Sequence, residues 1–213
     1  MPSTVPLDIR EALQNEANVS RETIERLAEF VDILKRWNRS INLVSRSDLE
    51  EVWRRHVLDS LGALRFLASD GPVLDIGSGG GFPALVLAVA LRDQQRAFTL
   101  VESDVRKCVF LREASRQLEL NAVVRTERIE QLPLLGAVTL TSRAFASVEK
   151  TLTLIEAQLP SLRRIVLLKG NRVFDELTEA SYQWHIEHQV LPNALTGRGY
   201  MLIIEKAQRV KKQ

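Results

Sequence analysis

Four glycines in five positions, Gly77, Gly79, Gly80 and Gly81, follow the apolar run Val73-Leu74-Asp75-Ile76 and precede Phe82-Pro83 and a second apolar stretch. Glycine adopts positive φ freely and lets a ligand approach the backbone, so this reads as a strand that turns into a helix over something it can hold. A dinucleotide fingerprint begun at Gly77 would need glycine at 82, where the chain has Phe82. Asp75 also argues against NAD. A carboxylate gains nothing beside an anionic pyrophosphate but is favourable beside an ammonium group, and S-adenosylmethionine carries one. Glu102 closes the next apolar run, 21 residues after Gly81, where an acidic side chain accepts hydrogen bonds from ribose hydroxyls.

Other chemistries are poorly supported. Cys108 is the single cysteine, so it forms neither an internal disulfide nor a multi-cysteine metal site, and it reads as a buried thiol. His185 and His188 lack acidic or cysteine partners at ligand spacing, so no metal is expected. His56 shares a helical face with Leu49, Val52, Trp53 and Ser60; a packed, hydrogen-bonded histidine is its first reading and a substrate contact its second. Arg143 and Lys169 each end an apolar run, which puts them at the sheet edge where a substrate would sit; an exposed lysine is the plain alternative for Lys169. No acid-base triad is evident.

The elements that position these residues follow from periodicity. Ile24, Leu27, Ala28, Val31, Leu34 and Trp37 form one helical stripe with Ser20 as N-cap. A second helix is expected from Ser47, with Glu50 completing a capping box, and to carry Leu49, Val52, Trp53, Val57, Leu61 and Leu64 on one side. From about residue 72 the runs PVLDIG, AFTLVES, AVTLTS and RIVLLKG read as strands buried on both faces. Helical stretches are expected at Pro83–Arg92, Asp104–Leu120 and Val148–Leu159. The alternation predicts an α/β doubly wound, Rossmann-like sheet. Trp184–Leu191 and Tyr200–Lys206, joined by PNALTGRG, predict an antiparallel edge.

The chain of 213 residues has 45% hydrophobic and 26% charged side chains, the profile of one globular domain and not of a disordered chain or disulfide scaffold. Its 29 basic and 27 acidic residues leave a net charge of +2, too little to announce a polyanionic partner. The basic set is 22 Arg and 7 Lys, and arginine suits phosphate contacts. Between Lys35 and Arg55, six basic and three acidic residues surround Trp37 and Trp53. Such a stretch could form a basic platform with stacking aromatics, but both tryptophans also belong to core-facing stripes. The first residues lack a basic flank and long apolar stretch, no run approaches a membrane span, and the lone cysteine fits a reducing compartment; a cytoplasmic location is expected. The tail QRVKKQ reads as a solvated basic end.

Several segments together resemble one family: RWNRSINLVS at 36–45, HVLDS at 56–60, DIGSGGGFP at 75–83, VESDVRKCVFLRE at 101–113, RIEQLP at 128–133, SRAFAS at 142–147 and LLKG at 167–170. This set resembles the bacterial 16S rRNA guanine-N7 methyltransferases, also called the glucose-inhibited division protein B family, over roughly residues 24–205. The resemblance implies a seven-stranded methyltransferase sheet with an N-terminal helical extension, residues 1–70 packed on an α/β core of 71–213 as a single domain. It implies S-adenosylmethionine as cofactor and guanine 527 of 16S rRNA, free or in the small ribosomal particle, as target. Neither a membrane nor an obligate protein partner is expected. By motif, Gly77 and Phe82 would contact the cofactor, Ile129 and Glu130 would flank its adenine, and Arg143 would complete that pocket. The alternatives are methyl transfer to another RNA, a protein or a small molecule, an NAD-dependent oxidoreductase, and a non-catalytic nucleic-acid module.

Overall fold

A computed structural model describes residues 5–210 of the chain. Part of the basic tail and the first four residues therefore lie outside the described residues. The centre is one seven-stranded sheet of order β3-β2-β1-β4-β5-β7-β6. Its strands are β1 Val73–Ile76, β2 Phe98–Val101, β3 Ala122–Arg125, β4 Thr139–Arg143, β5 Arg164–Lys169, β6 Trp184–Pro192 and β7 Tyr200–Arg209. The first five run parallel, and β7 lies antiparallel to both β5 and β6. The expected doubly wound, Rossmann-like sheet and antiparallel edge are both present. Because the chain moves outward through β2 and β3 before returning to β4 beside β1, the strand order reverses at β1/β4, where open α/β sheets bind ligands.

Alternate residues of the central strands feed two apolar layers. Val73, Leu100 and Val166 join the layer that includes Ile24, Phe30 and Leu87, while Leu74, Ile76 and Leu140 join the layer of Val148, Leu152 and Trp184. The first layer runs unbroken from the N-terminal helices into the sheet. Helix α1, Leu7–Asn15, and helix α2, Arg21–Trp37, lie in that N-terminal part. Ser20 caps α2, its Oγ accepting the Thr23 N–H at 3.2 Å. Trp53 is buried, and Trp37 packs edge-on against Phe110 at 6.1 Å. Both tryptophans therefore serve packing.

The second predicted helix is corrected in two ways. Its N-cap is Ser45 and not Ser47: the Ser45 Oγ accepts the Asp48 N–H at 3.1 Å and donates to Asp48 Oδ2 at 2.7 Å, so the capping box runs from 45 to 48. Helix α3, Arg46–Glu50, then stops, and Trp53–Leu58 winds as a π-helix. Trp53, Val57 and Leu61 all stay buried through this change of winding. Helix α4, Ala84–Ala90, follows the glycine turn, and α5, Val105–Gln117, is capped by Asp104. The stretch expected at Val148–Leu159 is α6, Val148–Leu154, followed by a 3₁₀ segment that holds Pro160. Strand β3, helix α1 and a further helix α7, Val173–Ser181, have no counterpart in the four strand runs and three core helices read from the sequence.

Candidate active site

The glycine turn leaves β1 at the switch point, with the Gly77 and Ser78 N–H groups donating to Val101 O at 2.9 and 3.2 Å. Gly77 has φ +65° and Gly79 φ +50°, conformations that a side chain rarely adopts. A Cβ at Gly77 would come within 2.5 Å of the Phe145 ring, whereas at Gly79 the nearest atom would be Gly77 O at 3.7 Å. Gly79 is therefore a bare piece of backbone. Its N–H donates to Glu102 Oε2 at 2.9 Å, and Glu102 Oε1 accepts the Asp104 N–H at 2.9 Å. Two strand ends are thus tied together by the acid expected to meet a ribose.

Asp75 lies beneath this turn, fully buried. Its Oδ1 accepts from Thr141 Oγ1 at 2.7 Å, and Oδ2 has no partner. Burial pushes its carboxyl up to about 7, against the Thr141 hydrogen bond that pulls the other way. Ile129 is buried in the same apolar layer as Ile76 and Val101, and Glu130 beside it is exposed. Phe82 turns its ring toward the N-terminal helices. It stacks on His56 at 4.7 Å and meets Phe30 edge-on at 5.4 Å. Any approach of Phe82 to a ligand must therefore come largely from its backbone.

His56 is buried against that ring, and neither imidazole nitrogen has a hydrogen-bond partner. Burial and the nearby Arg143 cation push it down to about 4, so it is neutral at physiological pH. It is packed as the helical stripe predicts, but the hydrogen bond expected with that packing is absent, because the ring is stacked face-on against Phe82 and both nitrogens are buried.

A second feature adjoins the turn. A cavity of about 600 Å³ opens at the carboxyl ends of β4 and β5, lined by Arg54, Arg55, Asp59, Arg143, Lys169 and Arg198 among others. Phe145 stands between the two, lining the cavity with the ring that approaches Gly77. Arg143 ends β4, with Nε 3.5 Å from Asp59 Oδ2 and a buried Nη1 that has no partner. Lys169 is held in place: its Nζ donates to Ala146 O at 2.5 Å and to Glu176 Oε2 at 2.7 Å. The lysine expected at the substrate edge of the sheet is thus already paired with Glu176. Sequence reasoning missed Asp59, Asn193 and Phe145. The available signals were a carboxylate inside an apolar stripe, an Asn within a turn-rich segment, and an aromatic in SRAFAS. Among the described residues, no group of three or more His, Cys, Asp or Glu could hold a metal ion.

The arrangement is that of a bare glycine turn beside a cavity lined by both charged and apolar side chains. Residues 23–199 match the family described as rRNA small subunit methyltransferase G. The chain belongs to that family. It is 41% identical to the ribosomal RNA small subunit methyltransferase G of Gluconobacter oxydans over 192 residues, 90% of this chain and 98% of that protein. To the protein of the same name from Granulibacter bethesdensis it is 43% identical over 203 residues, 95% of this chain and 94% of the other. Among solved structures, one from Klebsiella pneumoniae proposed to be an O-methyltransferase superposes with a TM-score of 0.54 at 13% identity, covering 86% of this chain and 89% of that one; this likeness shows the fold alone. Membership in a methyltransferase family replaces the oxidoreductase and non-catalytic readings and makes S-adenosylmethionine the cofactor.

Proposed function

We propose that this chain transfers a methyl group from S-adenosylmethionine to N7 of a guanine in 16S rRNA, at position 527 by the resemblance of its motifs. Bare backbone at Gly79, Glu102 at the neighbouring strand end and the partnerless Asp75 Oδ2 below the turn fit a cofactor with ribose hydroxyls and an ammonium group. Gly77, Gly79 and Glu102 would hold its nucleoside, Ile129 and Glu130 would flank its adenine, and Asp75 would compensate its ammonium. Phe82 would contribute backbone and Arg143 would close the pocket. Once bound, the cofactor supplies an electrophilic methyl on a sulfonium.

The observation that carries the N7 assignment is the state of the cavity's acids. Asp59 is held by Asn193 and faces Arg143, and Glu176 is paired with Lys169, so each carboxylate is already committed to a partner within the chain. Methylation of an exocyclic amine or a ring carbon must remove a proton, but the N7 lone pair has none to lose. That lone pair forms the new N–C bond while the S–C bond breaks with its electrons left on sulfur. The positive charge passes to the purine, and no proton moves. Residues of the chain then act by orientation. Arg143 belongs on O6 or a backbone phosphate, because a cation beside N7 would oppose the developing charge. Mass spectrometry of nuclease-digested rRNA from cells with and without this chain tests the proposal: one 7-methylguanine should vanish from 16S rRNA, and an unchanged methyl pattern would overturn it.

A further inference from the structure

Asp59 is fixed at the cavity by three segments far apart in the chain. It follows the π-helical turn, its Oδ1 accepts Asn193 Nδ2 at 2.9 Å, and its Oδ2 lies 3.5 Å from Arg143 Nε. Asn193 is itself buried; its Nδ2 also donates to Asp59 O at 3.1 Å, and its Oδ1 accepts the Leu195 N–H at 3.1 Å. Gly62 leaves room for this packing, since a Cβ there would come within 2.4 Å of Asn193 Oδ1. A carboxylate offers about four acceptor sites, so these contacts do not exhaust Asp59. Arg143 keeps its buried, partnerless Nη1. Both residues line the cavity.

The pair presents a cationic donor next to an anionic acceptor. The Watson–Crick edge of guanine presents the complement in the same order: the O6 acceptor, then the N1–H and N2–H donors. Adenine offers a donor at N6 and a lone pair at N1, so both contacts would be unfavourable there, with a carboxylate facing a lone pair in a partly desolvated site. Resting on the guanine-N7 reading above, we infer that Asp59 is the specificity-determining residue of the base pocket, accepting from N1–H and N2–H of an extruded guanine while Arg143 donates to O6. A base displayed in this way has left its stack. As the N7–C bond forms, the ring gains a positive charge and N1–H becomes a stronger donor. The Asp59 contact therefore strengthens in the transition state and acts on kcat more than on KM.

The test uses the full chain with small-subunit particles rebuilt on splint-ligated 16S rRNA. The rRNA carries guanine, inosine or 1-methylguanine at the position located by mass spectrometry. For the wild type, kcat/KM should fall about ten- to a hundredfold on inosine, which lacks the N2 amine, and at least as far on 1-methylguanine. Asp59→Asn should lower kcat on guanine about tenfold or more, with cofactor affinity by calorimetry unchanged, and its guanine-to-inosine ratio should shrink to within about threefold. A variant that is slowed equally on both bases and keeps the wild-type ratio would make Asp59 only a brace for Arg143 and overturn the inference. A wild type that methylates inosine as fast as guanine would overturn it without any variant. Failure to methylate the guanine particle would instead remove the guanine-N7 reading, and this inference with it.

Discussion

At the scale of single residues, the bare turn and the buried acid beneath it make separate statements about the cofactor. Gly79→Ala places a methyl no closer than 3.7 Å to its nearest neighbour, Gly77 O, at φ +50°, so it should cost only about 1–2 kcal/mol of stability. The methyl would project where the ligand must approach, and calorimetry should show cofactor affinity lost in a protein with an intact far-UV spectrum. Gly77→Val is the harsher change, since its side chain must displace Phe145. Asp75 makes the electrostatic statement. Its carboxyl titrates at about 7 against 3.8 in the open chain, so in that window the folded state holds a proton that the unfolded chain has lost. Its contribution to stability is therefore largest below the unfolded value and declines as pH rises toward 7. A cation bound nearby lowers that pKa. Cofactor binding at about pH 6 should release a proton, seen by titration in buffers of different ionisation enthalpy, and Asp75→Asn should abolish the release. An unchanged release in the variant would separate Asp75 from the ammonium group.

At the scale of elements, the π-helical segment carries His56 onto Phe82 and so joins the N-terminal helices to the glycine turn. His56 titrates at about 4 in the fold against 6.5 unfolded. Stability from the neutral ring is fully present above 6.5 and is lost as pH falls toward 4, because the unfolded chain takes up the proton first. His56→Phe should keep the stacking and remove the gain in stability between about pH 4 and 6.5, leaving the opposite slope set by Asp75, so its melting temperature should fall more steeply than the wild type's as pH rises across that window, with turnover retained; loss of turnover in a fully stable variant would return His56 to the substrate. Legibility followed burial. Strands β1, β2, β4 and β5 were readable because they are buried on both faces, whereas β3 buries only Val124 and exposes Val123. Helices α1 and α7 bury just two residues each, Ile9 with Leu13 and Val173 with Ala180, too few to set a period. The glycine turn and Glu102 could be read locally, since strand, turn and acid lie within one β-α-β unit. The Asp59–Asn193 contact spans 134 positions, and nothing in either local sequence specifies the other.

At the scale of the whole molecule, the net charge of +2 gives little long-range attraction for RNA, so affinity must come from the cavity rim. There Arg54, Arg55 and Arg198 are about half exposed or more, each within reach of only a surface carboxylate. Such surface pairs contribute little and are exchanged readily for phosphates. A few phosphate contacts to a single strand imply a log–log dependence of affinity on salt with a slope of about −2 to −4, and Arg198→Ala should make that slope shallower by about one contact. The geometry of the target then sets the substrate. Guanine N7 opens into the deep, narrow major groove of A-form RNA, which side chains do not enter. A cavity of about 600 Å³ has room for one base but none for a paired strand. The small rim offers little surface with which to prise a helix open, so the loop shape must be supplied by folded rRNA or its particle. A short duplex holding the target guanine in a Watson–Crick pair should therefore be a poor substrate, while a folded small-subunit particle should be methylated at the same protein concentration and salt. Efficient N7 methylation of the paired duplex at physiological salt would show that the chain opens RNA by itself and that the rim does more than grip a base already exposed.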